Sequence, residues 1–206
     1  MAVSDMKERT EKYFDSTAAY YDNSADGRFV KCMYREILDR ADRIPAEKIL
    51  DLGCGNGNVI ALLKERKKAR YYGVDISEEM VKEAQKRLGE TAAVMVGDAE
   101  NLPFDNDFFD LIICNASFHH YPDHQKAVEE MKRVLRPGGT IILGDPTVPG
   151  KILVRILNFI IKYSNSGDAK IWCKKEITRL FQNNGFQIEN WKKINYKTFM
   201  FQAVLK

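Results

Sequence analysis

The feature that most constrains this chain is an alternation. Short, almost wholly apolar runs trade places with longer amphipathic stretches from residue 48 to residue 145. "KILDLG" (48–53), "RYYGVDI" (70–76), "AAVMVG" (92–97), "FDLIICN" (109–115) and "TIILGD" (140–145) read as strands. Strands apolar on both sides belong in a parallel sheet covered on two faces, because a sheet with one wet face needs polar residues at every second position. Between them the period changes. "NVIALLKERKK" carries Val59, Leu62 and Leu63 on one stripe, and Ser77 caps "EEMVKEAQKRL" with Glu78 and Glu79 at the favourable end of the helix dipole. Asp123 caps "HQKAVEEMKRVL", whose Ala127, Val128, Met131, Val134 and Leu135 form a helical stripe stopped by Pro137-Gly138-Gly139. After a helix over "KKEITRLFQNN", ended by Gly185, two strands follow with only a short link ("FQIENWKKI", "TFMFQAVL"). That departure places one antiparallel strand near the sheet edge.

At 206 residues this is one generous domain. Two segments fall outside the alternation: residues 1–45, expected as an N-terminal helical lid, and 147–172, expected as a helix-bearing insertion capping substrate. The core spans 46–146, and 173–206 supplies the last helix and strand pair. A net charge of +3, with basic and acidic residues interspersed, does not suggest a nucleic-acid partner. Cys32, Cys54, Cys114 and Cys173 form no C-x-x-C pair, so neither a disulfide framework nor a zinc ribbon is expected. The start is charged and lacks an apolar signal region, and the greasiest stretch, 152–161, is too short to span a bilayer. A cytoplasmic protein is the expectation. Yet "KILVRILNFIIKY" is apolar on nearly every side if helical, which fits a roof over a hydrophobic pocket, a dimer contact, a membrane-surface contact through 152–161, or core packing.

In a doubly wound sheet, ligands gather at the carboxyl ends of the strands, where connections reverse direction. "DLGCGNG" (51–57) ends the first strand and opens a helix, so its backbone approaches a ligand closely and offers free N–H groups. A dinucleotide loop of the form G-x-G-x-x-G needs glycine at 58, where this chain has Asn58. Asp75 ends the second strand, 22 residues after Gly53, placed to accept from a ribose diol, and Asp98 ends the third, placed to accept from an exocyclic adenine amine.

With these residues in hand, the chain resembles the class I S-adenosylmethionine-dependent methyltransferases, in particular the ubiquinone/menaquinone-biosynthesis-like (type 11) branch. "ILDLGCGNGN", "GVDIS", "GDAENLPFDNDFFDLIICNASFHHY" and "LRPGGTIILGD" carry the resemblance over about 49–145, and "YFDSTAAYYD" (13–22) is similar to the family's lid. The resemblance implies a Rossmann-like, mostly parallel seven-stranded sheet with an antiparallel last strand. It implies that S-adenosyl-L-methionine is bound by Gly53, Gly55 and Asp51 at its methionine end, with Asn115 beside them. Asp75 would hold the ribose, Ile76 and Met80 the adenine face, and Asp98 with the backbone of Ala99 the adenine edge; Tyr21 would face the donor from the lid. Other roles stay open: helix–strand packing for Gly53 and Gly57, core packing for Met80, loop ordering for Asp51 and strand termination for Asn115.

The implied reaction is methyl transfer to a small, lipophilic or aromatic acceptor. Its rivals are a nicotinamide-dependent oxidoreductase, opposed by Asn58 and by the lack of a Y-x-x-x-K pair, and a donor-binding protein without turnover. An arsenic- or thiol-modifying branch would need clustered cysteines. Tyr13, Phe14, Tyr20 and Tyr21 put four rings on the lid, where they close over a sulfonium or staple the lid to the sheet.

All three histidines lie in "SFHHYPDH" (117–124). Pro122 disfavours helix at Tyr121, so His120 and His124 cannot share a helical face, and no metal site is expected. His124 falls in the exposed first turn of the next helix. His119 and His120 flank the expected methyl-transfer position. Since adjacent residues point in different directions, at most one of them faces the acceptor as base or orienting contact.

Overall fold

A computed structural model describes residues 3–161 and 167–206. The first five strands are β1 (Lys48–Leu52), β2 (Arg70–Asp75), β3 (Ala92–Val96), β4 (Phe109–Asn115) and β5 (Leu135–Pro146). They pair in parallel, β3-β2-β1-β4-β5, so the winding direction reverses between β1 and β4. β7 (Thr198–Leu205) runs antiparallel between β5 and the edge strand β6 (Phe186–Lys193), which completes a seven-stranded sheet.

Successive strand residues face opposite layers, and both layers are apolar. Ile49, Leu111, Ile113 and Ile142 pack under α2 (Ala25–Ala41), α3 (Asn58–Leu63) and α4 (Glu78–Leu88) through Met33, Ile37, Ile60, Leu63 and Ala84. Leu50, Ile112 and Leu143 pack under α5 (His124–Val134) and α7 (Lys174–Asn183) through Val128, Met131, Ile177 and Phe181. The two remaining helices are α1 (Val3–Thr17) and α6 (Lys151–Ile161).

The expected caps are made: Ser77 Oγ accepts from Met80 N–H at 3.1 Å, and Asp123 Oδ1 from Lys126 N–H at 3.0 Å. All five residues of the α5 stripe are buried. Two local readings need correction. α3 ends at Leu63 and exposes Leu62, since the buried stripe runs through Val59, Ile60 and Leu63. β5 begins at Leu135 rather than Thr140, the chain entering the sheet as soon as α5 ends ahead of Pro137. All four cysteines are free. No helix among the described residues is long and apolar enough to cross a membrane.

Candidate active site

The glycine loop is folded around its missing side chains. Gly53 has φ +71°, and a Cβ there would lie 1.8 Å from Ser117 Oγ, so the loop after β4 closes directly onto it. Gly53 and Cys54 N–H both donate to Val74 O, at 2.8 and 3.0 Å, which ties the loop to β2. Gly57 abuts Leu88 and Ala84 of α4, a packing role. Gly55 is different: its φ is +51°, yet a Cβ there would meet nothing within 4 Å. The conformation demands glycine, and the space beside it is open.

Nine of the ten residues expected at the donor line that space: Gly53, Gly55, Asp75, Ile76, Met80, Asp98, Ala99, Asn115 and Tyr21. Asp51 does not. It is buried behind the loop, its Oδ2 has no partner, and burial reinforced by the charge of Asp75 pushes its carboxyl up to about 8. Asn115 Oδ1, at the end of the neighbouring strand, also lacks a partner. One unsatisfied acceptor oxygen, of Asn115, thus belongs to a residue lining the cavity, and a second, of Asp51, is buried behind the glycine loop, an arrangement a cationic group would satisfy. Asp75 is buried and fixed by Gly55 N–H on Oδ2 (2.8 Å) and Ser77 N–H on Oδ1 (3.0 Å), each oxygen keeping a lone pair.

The lid closes on this cavity. Lys7 Nζ of α1 donates to Asp98 Oδ2 at 2.6 Å and to Glu100 Oε2 at 2.5 Å, while the other oxygen of Glu100 accepts from Asp123 N–H at 2.7 Å. Asp15 Oδ1 accepts from Ser77 Oγ at 2.6 Å. In the tight turn Ala18–Asn23, Asp22 accepts from the amides of Asn56 and Asn58 (2.9 and 2.7 Å) and from Arg87 (2.7 Å). Burial resists its charge, but those donors win and hold its carboxyl down at about 2. Of the four lid rings, Phe14 and Tyr21 line the cavity; Tyr13 lines a neighbouring one, its hydroxyl donating to Asp26 Oδ2 at 2.6 Å; Tyr20 is exposed.

The neighbouring cavity shares Phe14, Tyr21, Ala116 and His120 with the first and adds His119, Asp26, Asp168 and Ile171. Here the histidine reading is corrected. His119 and His120 lie in a tight turn, Phe118–His120, with ring centroids 3.9 Å apart, and both converge on Asp168. His119 Nε2 is 3.5 Å from Asp168 Oδ1, and His120 Nδ1 is 3.3 Å from the same oxygen. The three ligand atoms lie within 4.8 Å of one another, a spacing compatible with a shared cation. His119 Nδ1–H donates to the wholly buried Asp145 Oδ1 at 2.8 Å. Burial works against a proton on His119, but Asp145 and then Asp168 outweigh it and raise its pKa above 6.5. Burial, then the neighbouring His119, drives His120 well down. Nor is His124 a surface residue: its ring packs 5.0 Å from Phe118 and 4.8 Å from Trp172, and burial drops its pKa to about 3.

Sequence reasoning missed Lys7, Glu100, Asp145 and Asp168. Asp145 stood in plain view at the end of the "TIILGD" strand, where its position on the sheet's carboxyl edge is a usable signal. Asp168, beyond the regular alternation, offered none.

A family model described as "Methyltransferase domain" matches residues 50–143. An uncharacterized methyltransferase, YcgJ, of Bacillus subtilis (strain 168) is 30% identical over 176 residues, covering 83% of this chain and 68% of the relative. A demethylmenaquinone methyltransferase of Staphylococcus epidermidis is 27% identical over 208 residues, covering 96% of this chain and 85% of the relative. The crystal structure of YcgJ superposes with a TM-score of 0.73 at 22% identity, covering 84% of this chain and 97% of that one, a likeness of fold. Against two other curated relatives the chain spans only 38% and 45% of their length.

Proposed function

The chain belongs to the methyltransferase family, and from that premise we propose that it moves a methyl group from S-adenosyl-L-methionine to a hydroxyl oxygen of a small, lipophilic or aromatic acceptor. The observation that carries this reading is the pair of adjoining cavities, one rimmed by Asp75, Asp98 and the open Gly55, the other by His119 and Asp168. The residues fit the donor: the unpartnered oxygens of Asp51 and Asn115 suit its ammonium, Asp75 its ribose diol and Asp98 its adenine amine. When bound, it supplies an activated methyl group on a sulfonium that leaves as a neutral thioether. The protein's own work is then alignment, exclusion of water and removal of one proton.

Phe14 and Tyr21 line both cavities and stand where the donor and acceptor would meet. The acceptor hydroxyl approaches His119 Nε2, which takes its proton. Asp145 holds the opposite Nδ1–H, fixing the tautomer, and with Asp168 stabilises the imidazolium that results. The relative named for demethylmenaquinone supports an acceptor with a lipophilic or aromatic body.

The test is release of S-adenosylhomocysteine over a panel of phenols, alcohols, amines and thiols. His119→Gln is expected to lower kcat by about 100-fold with donor affinity intact. Turnover should rise with pH through a pKa above 6.5, because only neutral His119 accepts a proton. Asp145→Asn should move that limb to lower pH. No donor binding by calorimetry overturns the reading outright, and unchanged turnover in His119→Gln removes the base. Turnover that a chelator abolishes assigns the His119–His120–Asp168 cluster to a cation instead.

A further inference from the structure

α6 is inside out for a helix facing water. Ile152, Ile156 and Ile160 are 77%, 50% and 53% exposed, and Leu153 and Phe159 are exposed beside them. Positions 152, 153, 156, 159 and 160 repeat with helical spacing and make one continuous apolar face. Arg155 is exposed at the edge of this face, while Asn158 points the other way. Its Nδ2 donates to Ile171 O at 2.9 Å and its Oδ1 accepts from Ile171 N–H at 2.7 Å, while Val154 is buried on the same inner side. Those two hydrogen bonds fix the rotation of the helix, so the apolar face is held outward. None of its described side chains lines the cavities of the candidate active site, which the insertion reaches instead through Asp168 and Ile171. Its outward residues are equally not core.

The charge beside this face is one-sided. Residues 147–206 hold eleven Lys and Arg against three Asp and Glu, a net +8, while the whole chain nets only +3; residues 1–146 are therefore net −5. Between 147 and 167 there is no acidic residue at all. Val148, Pro149, Gly150 and Val154 share a groove with Lys174, Lys175, Arg179 and Lys193, all four of these cations exposed, and with the exposed ring of Tyr196. Apolar side chains flanked by cations and an amphipathic aromatic match the boundary between lipid headgroups and acyl chains. Eleven residues make a helix about 16 Å long, too short to cross a bilayer but long enough to lie in its surface.

We propose that α6 and the adjacent basic groove dock this chain peripherally on membranes rich in anionic phospholipid, with the helix in the plane of the interface. A second copy of the chain is a poorer occupant, since two such surfaces would bring eight cations face to face. The proposal does not depend on methyl transfer. It would also bring the candidate active site close to a source of lipophilic acceptors.

The test is flotation of the full chain with vesicles of phosphatidylcholine plus phosphatidylglycerol, against phosphatidylcholine alone. Binding is expected only to the mixed vesicles and should weaken with salt. Ile156→Glu with Ile160→Glu should cut it by about tenfold or more. Lys174→Glu with Lys175→Glu should cost about fivefold per charge. Leu62→Glu, on the opposite layer, should leave it unchanged. Circular dichroism keeps loss of fold distinguishable, and calorimetry with S-adenosylhomocysteine reads the separate donor question. Absence of binding to mixed vesicles overturns the proposal. So does a dimer in sedimentation velocity that Ile156→Glu dissociates, which would make this face a self-contact.

Discussion

Asp51 has a buried carboxyl with an unpartnered oxygen, pushed up to about 8 first by burial and then by Asp75. Near pH 7 it therefore carries a proton in the free protein, and a cation bound beside it favours losing that proton. Binding of S-adenosylhomocysteine, whose ammonium is positive, should release up to one proton per site at pH 7, measured by calorimetry in buffers of different ionisation enthalpy. Affinity should rise with pH and level off above about 8. Asp51→Asn should abolish both effects; a wild-type enthalpy independent of buffer would exclude the role. The glycines separate by the same reasoning. At Gly53 an added methyl strikes Ser117 as well as demanding a left-handed residue, so Gly53→Ala should lose stability and donor binding together. At Gly55 only the dihedral penalty of about 1–2 kcal/mol applies, while the methyl enters the cavity. Gly55→Ala should stay folded yet bind donor at least about tenfold more weakly, read by thermal melts and calorimetry side by side.

Between elements, the lid is held by charges far apart in sequence. Lys7 reaches Asp98 across 91 positions, and Asp22 reaches Asn56, Asn58 and Arg87 across 34 to 65. A carboxyl held down at about 2 contributes stability above the unfolded value near 3.8 that is lost as pH falls through 2. Acid should loosen the lid before the sheet melts. Asp22→Ala should reproduce that at neutral pH, as faster proteolysis within residues 18–24 and a severalfold weaker donor affinity. Equal proteolysis rates for variant and wild type would remove Asp22 as the latch. Such links explain what was legible in the sequence. Ser77, Asp123 and the strand ends Asp75 and Asp98 obey local rules of capping and alternation, so their neighbours in sequence betray them. Asp168 lies 48 and 49 positions from the histidines it meets, and His124 is buried by Trp172, 48 residues on. Neither has a local signature. The outward face of α6 was unreadable for another reason: a water-facing helix turns its polar positions outward, and here the two Asn158 hydrogen bonds to Ile171 turn that position inward instead.

For the molecule as a whole, one consequence follows from where the site's parts lie. Residues from α1 and the turn after it, from the ends of β1, β2 and β4, from the loop that follows β3, and from the 167–171 stretch all border the two cavities. A ligand in the first cavity therefore touches both the N-terminal lid and the parallel core, and its binding energy adds to the stability of the entire domain rather than to one loop. With S-adenosylhomocysteine at about 100 times its Kd, linkage adds about 2.7 kcal/mol. For a chain of this size that corresponds to a rise in Tm of about 5–11 °C. The same concentration of NAD should leave Tm unmoved, because Asn58 stands where a pyrophosphate-binding loop needs glycine. Gly55→Ala should remove about half of the rise or more, on top of a fall of about 2–8 °C in the melting point of the free protein from its dihedral penalty. If NAD raised Tm and S-adenosylhomocysteine did not, the glycine loop would serve a dinucleotide, and the assignment of Asp75 and Asp98 to one nucleoside would fall with it.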